Sequence, residues 1–180
     1  MILLVMGGCG DEDLSEDEKT SLQISKVELL FAPKGDGVPI VVEAEKVGGI
    51  LAPSEAINLQ AGIAYDLFVS FENATEDDVS QSIENTGTDY QLFYEFSQSL
   101  FSSPTGSGNI ADHSGLVNYL DQDTNGLPIG LITAWVAADS GSFGVFRIIL
   151  KHQPDDLKIA SADAEVCDTE LDVSWELNVN

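Results

Sequence analysis

The segment Asp121-Gln122-Asp123-Thr124-Asn125-Gly126-Leu127 places side-chain oxygens at the first, third and fifth positions of a turn and a glycine at the sixth. A hard cation such as calcium takes about six to eight oxygens, and this spacing wraps three side chains and a backbone carbonyl round one point. Asp121, Asp123, Asn125 and Leu127 therefore form a candidate calcium loop. The helix-loop-helix form of that motif also needs a bidentate Glu at its twelfth position, which here is Ile132. The motif is thus half of one, and Asp112 or Asp139 would have to supply missing ligands. The competing reading is an ordinary turn made of residues that tolerate positive φ.

Other chemistry is sparse. His113 and His152 are the two histidines, and transition-metal sites normally draw on several His or Cys ligands, so this pair is the weaker metal alternative. There is no G-x-S-x-G elbow, no H-E-x-x-H, no glycine-rich loop between strand and helix, and no Cys with a matching His. Carboxylate pairs carry little information in so acidic a chain. The expectation is a non-enzyme. Tyr90, Phe93, Tyr94, Phe96, Trp135 and Trp175 would suit sugar stacking if exposed, but their period-two spacing favours core packing.

The first thirteen residues carry an address. An apolar run, Met1 to Met6, leads through Gly7-Gly8 to Cys9-Gly10 and then Asp11-Glu12-Asp13. Small residues before a cysteine, apolar upstream and acidic downstream, resemble the lipobox at which a bacterial signal peptide is cleaved and the new amino-terminal cysteine acylated. A full signal peptide has a basic start and about 7–15 apolar residues, so residues 1–8 read as a truncated signal segment. Cys9 is the expected lipidation site. One acyl chain anchors only marginally, so stable attachment takes several, and the mature chain would be anchored in the membrane without spanning it. With Cys9 lipidated, Cys167 has no internal disulfide partner, and its acidic neighbours raise a thiol's pKa, which argues against a nucleophile.

These residues need elements to hold them. Residues 9–20 form an acidic tether with a disordered composition, and residues 21–180 are long enough for one domain with a core. Within it Tyr65, Leu67, Val69 and Phe71 alternate with Asp66, Phe68 and Ser70, which gives one apolar and one mixed face. Residues 90–96 and 171–179 repeat the period. Further strands are expected at 22–31, 39–47, 57–59, 116–120, 131–136 and 145–152, with turns at Gly48-Gly49, Asn125-Gly126 and Ser140-Gly141. The fold class is therefore all-β, an antiparallel immunoglobulin-like β-sandwich. One short acidic helix interrupts it between Asn73 and Gly87, with Thr75 as N-cap, Glu76-Asp77-Asp78 in the first turn, and Val79 and Ile83 facing inward.

Charge narrows the partners. Seven Lys and Arg against thirty-one Asp and Glu give a net charge of -24. That field repels phosphate backbones, which excludes nucleic acid, and favours cations or basic surfaces on other proteins.

Residues 125–131, Thr133-Ala134-Trp135, residues 146–154 and Leu171-Asp172-Val173-Ser174-Trp175 together resemble uncharacterised small Bacteroidota-type outer-membrane lipoproteins associated with TonB-dependent receptors. The resemblance implies a β-sandwich lipoprotein of the cell envelope, periplasmic or surface-facing, working beside an outer-membrane receptor in nutrient or metal uptake. Members often carry His before the Gln of the strand from Asp89 to Phe96, where this chain has Tyr90 before Gln91, and that departure weakens a metal site shared with His152. The expected function is a lipid-anchored, non-catalytic ligand- or partner-binding accessory. The alternatives are a structural or adhesive surface module with a calcium-stabilised loop, and a carbohydrate-binding module.

Overall fold

Alternating side chains need a second apolar layer to cover them, and in the computed structural model two sheets cover each other. Residues 22–75, 77–112, 114–154, 157–159 and 168–180 are described. The segments 1–8 and 9–20, and with them Cys9, lie outside the described residues, as do His113, Cys167 and Glu76.

The elements run β1 (Ile24–Pro33), β2 (Ile40–Val47), β3 (Ile50–Pro53), β4 (Ile57–Leu59), β5 (Ala64–Asn73), α1 (Ser80–Asn85), β6 (Tyr90–Phe96), β7 (Phe101–Ser103), β8 (Ile132–Ala137), β9 (Phe143–His152) and β10 (Asp168–Val179). One sheet has six strands in the order β3-β2-β1-β5-β8-β7, and the other has four in the order β4-β10-β9-β6. The chain is all-β with two sheets and one short helix among the described residues. Pairing is antiparallel with one exception: β4 runs parallel to β10, Ile57 to Leu59 beside Leu177 to Val179.

Between the sheets lies an aromatic cluster. Trp135 of β8 meets Phe101 at 4.6 Å and Phe96 and Phe146 at 5.2 Å, and Phe31 of β1 meets Phe146 of β9 at 6.0 Å. Offset and edge-on rings add about 0.5–1.5 kcal/mol per pair beyond area burial, and these pairs span both sheets. The polar atoms of Trp135 and Tyr94 in the layer are matched, whereas the buried Trp175 Nε1 has no hydrogen-bond partner among the described residues. Trp135 Nε1 donates to Thr133 Oγ1 at 2.7 Å, and the Tyr94 hydroxyl donates to the Gly130 carbonyl.

Two sequence expectations are corrected here. The helix starts at Ser80, later than expected, and of the carboxylates assigned to its first turn Asp77 and Asp78 precede it. Asn73 Oδ1 accepts from the amides of Thr75 and Asp77, so an Asx turn occupies this stretch, and Asp78 Oδ1 takes the Ser80 amide at 2.9 Å in place of a Thr75 cap. Local side-chain acceptors outcompeted the helix ladder there. Val79 and Ile83 are buried as expected, and Glu84 is the acidic residue of α1 itself. The second correction concerns residues 116–120, which form no strand beyond an isolated bridge between Tyr119 and Thr133. A strand at β3 went unrecognised because Pro53 closes it. Its hairpin with β2 turns through Gly48 and Gly49, at φ 62° and 91°, the left-handed pair that matches strand twist.

Candidate functional site

The loop 121–127 folds as a closed polar knot. Asp123 begins a turn in which the Gly126 amide donates to the Asp123 carbonyl at 3.0 Å, and Gly126 takes φ 78°, where a side chain would be strained. Asp123 Oδ1 accepts from the amides of Asn125 and Leu127 at 2.8 and 2.9 Å, and the Leu127 carbonyl accepts the Asp123 amide at 2.8 Å. Asp121 points elsewhere. Its carboxylate accepts the amides of Gly130, Leu131 and Ile132 at 2.8, 2.7 and 3.1 Å, clamping the chain as it enters β8. Burial pushes Asp121 above the usual carboxylate range, against the pull of those three amides.

A cation does sit in this loop, and it belongs to the chain. Lys158 Nζ lies 2.8 Å from Asp123 Oδ2, with both side chains 1% exposed, and donates to the Gly87 carbonyl at 2.7 Å. Burial opposes the Asp123 charge, yet Lys158 and the two amides hold its carboxyl below the usual range. Burial likewise pulls the Lys158 ammonium below its ordinary value, with Asp123 resisting.

The four expected calcium ligands are therefore not aimed at one point. Asp121 is turned to the 130–132 amides, Asp123 to Lys158 and its own loop, the Leu127 carbonyl to the Asp123 amide, and Asn125 is exposed. This donor set does not fit a calcium ion, since an ion would have to displace a buried ammonium and the amide hydrogen bonds that Asp121 and Asp123 accept. No group of three or more His, Cys, Asp or Glu is placed to hold a metal among the described residues. His152 stacks on the Tyr90 ring at 4.7 Å and 20°, and His113 lies outside the described residues. The six aromatics considered for sugar stacking are all buried, so they present no face to a ligand.

The two outward sheet faces differ. On the four-stranded sheet Arg147 of β9 reaches Asp172 of β10 through two bonds, 2.8 and 2.7 Å, and Glu95 of β6 at 2.9 Å. Those carboxylates raise the guanidinium well above its ordinary value. The six-stranded sheet instead carries an apolar row. Val41 of β2 is directly opposite Leu30 of β1, Leu30 opposite Phe68 of β5, and Phe68 opposite Ile132 of β8. Leu120 extends the row, its amide donating to the Ile132 carbonyl at 2.9 Å. Leu29, Phe31, Leu67 and Val69 point into the core, so Leu30 and Phe68 between them point out.

Comparison with family models, curated proteins and solved structures returned no match.

In the row Val41, Phe68 and Leu120 are 45%, 40% and 53% exposed. Single exposed apolar residues are ordinary, whereas four in register across one sheet, with Leu120 beside the last, form a contiguous strip, the pattern of an interaction surface. In the sequence Phe68 falls on the mixed face of β5 between Asp66 and Ser70, where a lone apolar residue gives no sign of a row. The signal that would have found the row is the pair Leu29-Leu30 within Leu29-Leu30-Phe31, where two-sided apolar character in one strand asks for a cover on both faces. Lys158 was missed as well. It stands between Leu157 and Ile159, where a cation in an apolar setting needs a buried partner.

Proposed function

We propose that this chain is a lipid-anchored, non-catalytic binding module of the cell envelope, tethered through Cys9 and engaging a protein partner, an outer-membrane receptor being the candidate that its sequence resemblance implies. The apolar row on the outer face of the six-stranded sheet carries this reading. In the strip Val41, Phe68 and Leu120 are exposed and Leu30 and Ile132 half-buried between them, and such a surface costs solubility that a covering partner would restore. The contrast with the other sheet supports one-sided engagement, since there the exposed Phe143 and Val145 stand opposite Asn178 and Glu176, with no apolar partner across β10, beside the ion-paired Arg147. We read the architecture as an immunoglobulin-like sandwich in the broad sense, supported by antiparallel neighbours and a core shared between two sheets, although the six-plus-four order and the parallel β4 depart from the usual seven-stranded plan.

The test is cross-linking in cells that produce the full chain. A photoreactive phenylalanine at position 68 is expected to trap one protein species, and the same group at Ser174, on the outer face of the other sheet, none. Equal capture at both positions, or none at either, would overturn the reading. Cys9→Ser is expected to release the chain from the membrane fraction, and retention would remove the anchor.

A further inference from the structure

We infer that the outer face of the six-stranded sheet docks a basic partner surface, an apolar ridge about 19 Å long bordered by Lys or Arg. The inference rests on the partner-binding reading above and names the chemistry of the partner. Length comes from the register. The row crosses five adjacent chain segments from Val41 to Leu120, and four gaps of about 4.8 Å give about 19 Å.

Charge comes from the rows on either side. One step along the strands, Glu43 of β2 stands opposite Glu28 of β1, and on the other side Ala32 stands opposite Asp66 of β5. Lys26 sits beyond the first pair, 2.8 Å from Glu43 and 4.0 Å from Glu72, and Lys34 lies 2.9 Å from Asp66. The two ammoniums thus fall short of the carboxylates around them, and Glu45 opposite Lys26 adds another. The strip is apolar at its centre and acidic along the border where Glu28, Glu43, Glu45 and Glu72 share Lys26, while on the other side Asp66 is paired with Lys34.

Sign selects the occupant. A second copy would bring the same acidic border against this one, and a net charge of -24 opposes self-association at moderate ionic strength. An anionic bilayer is repelled for the same reason. A protein surface with Lys or Arg flanking an apolar ridge gains from both the centre and the border, with the apolar contact setting affinity and the charges setting encounter and register.

The experiment uses the purified chain and a designed helical Leu/Lys peptide of about thirteen residues, which supplies a ridge of the right length. Binding is read by fluorescence anisotropy against a Leu/Glu peptide of the same pattern. The Leu/Lys peptide is expected to bind and the Leu/Glu peptide not to. Phe68→Ser keeps the net charge and is expected to weaken binding at least about tenfold, while Phe143→Ser, an exposed aromatic on the other sheet, leaves it unchanged. Glu28→Gln with Glu43→Gln is expected to weaken binding and flatten its salt dependence. Circular dichroism melts confirm that each variant is folded. Leu/Lys binding that ignores Phe68→Ser is charge attraction alone and overturns the inference. Dimerisation, or adsorption to phosphatidylglycerol vesicles, that Phe68→Ser abolishes would also overturn it by giving the row to another occupant. If cross-linking at position 68 traps a partner whose contact surface is not basic, partner binding stands and the charge assignment fails.

Discussion

Replacing Lys158 with Met keeps most of the aliphatic stem and removes the ammonium, leaving the Asp123 carboxylate buried beside two amides with no cation. Stripping one partner from a buried ion pair costs about 3–5 kcal/mol. For a domain of this size each kcal/mol lowers Tm by about 2–4 °C, so Lys158→Met is expected to lose about 6–20 °C. Asp123→Asn added to Lys158→Met restores much of this, because Asn Oδ1 still accepts the Asn125 and Leu127 amides and no charge is buried. A positive coupling of about 1.5 kcal/mol or more in the double-mutant cycle is the expected readout, measured by thermal and urea melts at neutral pH. The acid limb is a second readout. Because the Asp123 pKa is depressed in the folded chain, its contribution is complete above the ordinary carboxylate value of 3.8 and is lost as pH falls through the depressed value. Lys158→Met removes that depression, so the stability gap between the variant and the wild type should narrow as pH falls below 3.8. A Tm loss below about 2 °C, or a double variant as unstable as the sum of the singles, would refute the buried-pair argument.

Calcium added after EDTA is expected to leave the wild-type Tm unchanged, since Lys158 fills the loop; a rise of about 5–11 °C at a hundredfold excess over Kd would restore the cation reading. Asp121→Asn removes one acceptor oxygen from a clamp on three amides and is expected to cost about 1–3 kcal/mol in urea melts. Tyr119 has its hydroxyl bonded to Asn109 and Leu92 and its pKa pushed up to about 12 by burial, and buried Tyr94 is raised as well. Absorbance titration of the folded chain to pH 11 should therefore leave these two of the four tyrosines un-ionised, and full tyrosinate signal below that pH without unfolding would contradict the packing. Gly126→Ala meets open space but a left-handed backbone, and should cost about 1 kcal/mol by the same melts.

The strands with strict alternation were legible: β6 runs over the expected residues, and β5, β9 and β10 begin or end within a few residues of expectation. Their side chains decide both the period and the buried face. What alternation does not encode is who neighbours whom, and the parallel β4–β10 pair joins segments more than a hundred residues apart. The helix was placed too early because its carboxylates could satisfy either a dipole or a turn, and Asn73 offered the turn a better acceptor. The loop 121–127 was recognised as a turn of oxygens, but oxygens that gather round a metal and oxygens that receive amides have the same sequence pattern. Only Lys158, some thirty residues on, distinguishes the two, and a lone lysine gives no hint of where it docks. The apolar row was hidden for a related reason, since each of its members is an ordinary residue in its own strand.

The position of β10 inside its sheet sets the order in which the domain can be completed. It lies between β4 and β9, so the four-stranded layer has no middle until residues 168–179 have left the ribosome. Until then Trp175, Val173 and Leu177 are missing from the interior, and the six-stranded layer has half its cover. A nascent chain in that condition stays pliable, because non-local pairing gives no return before both partners exist. The topology thus holds closure of the interior back until β10 is made, whatever has folded before it.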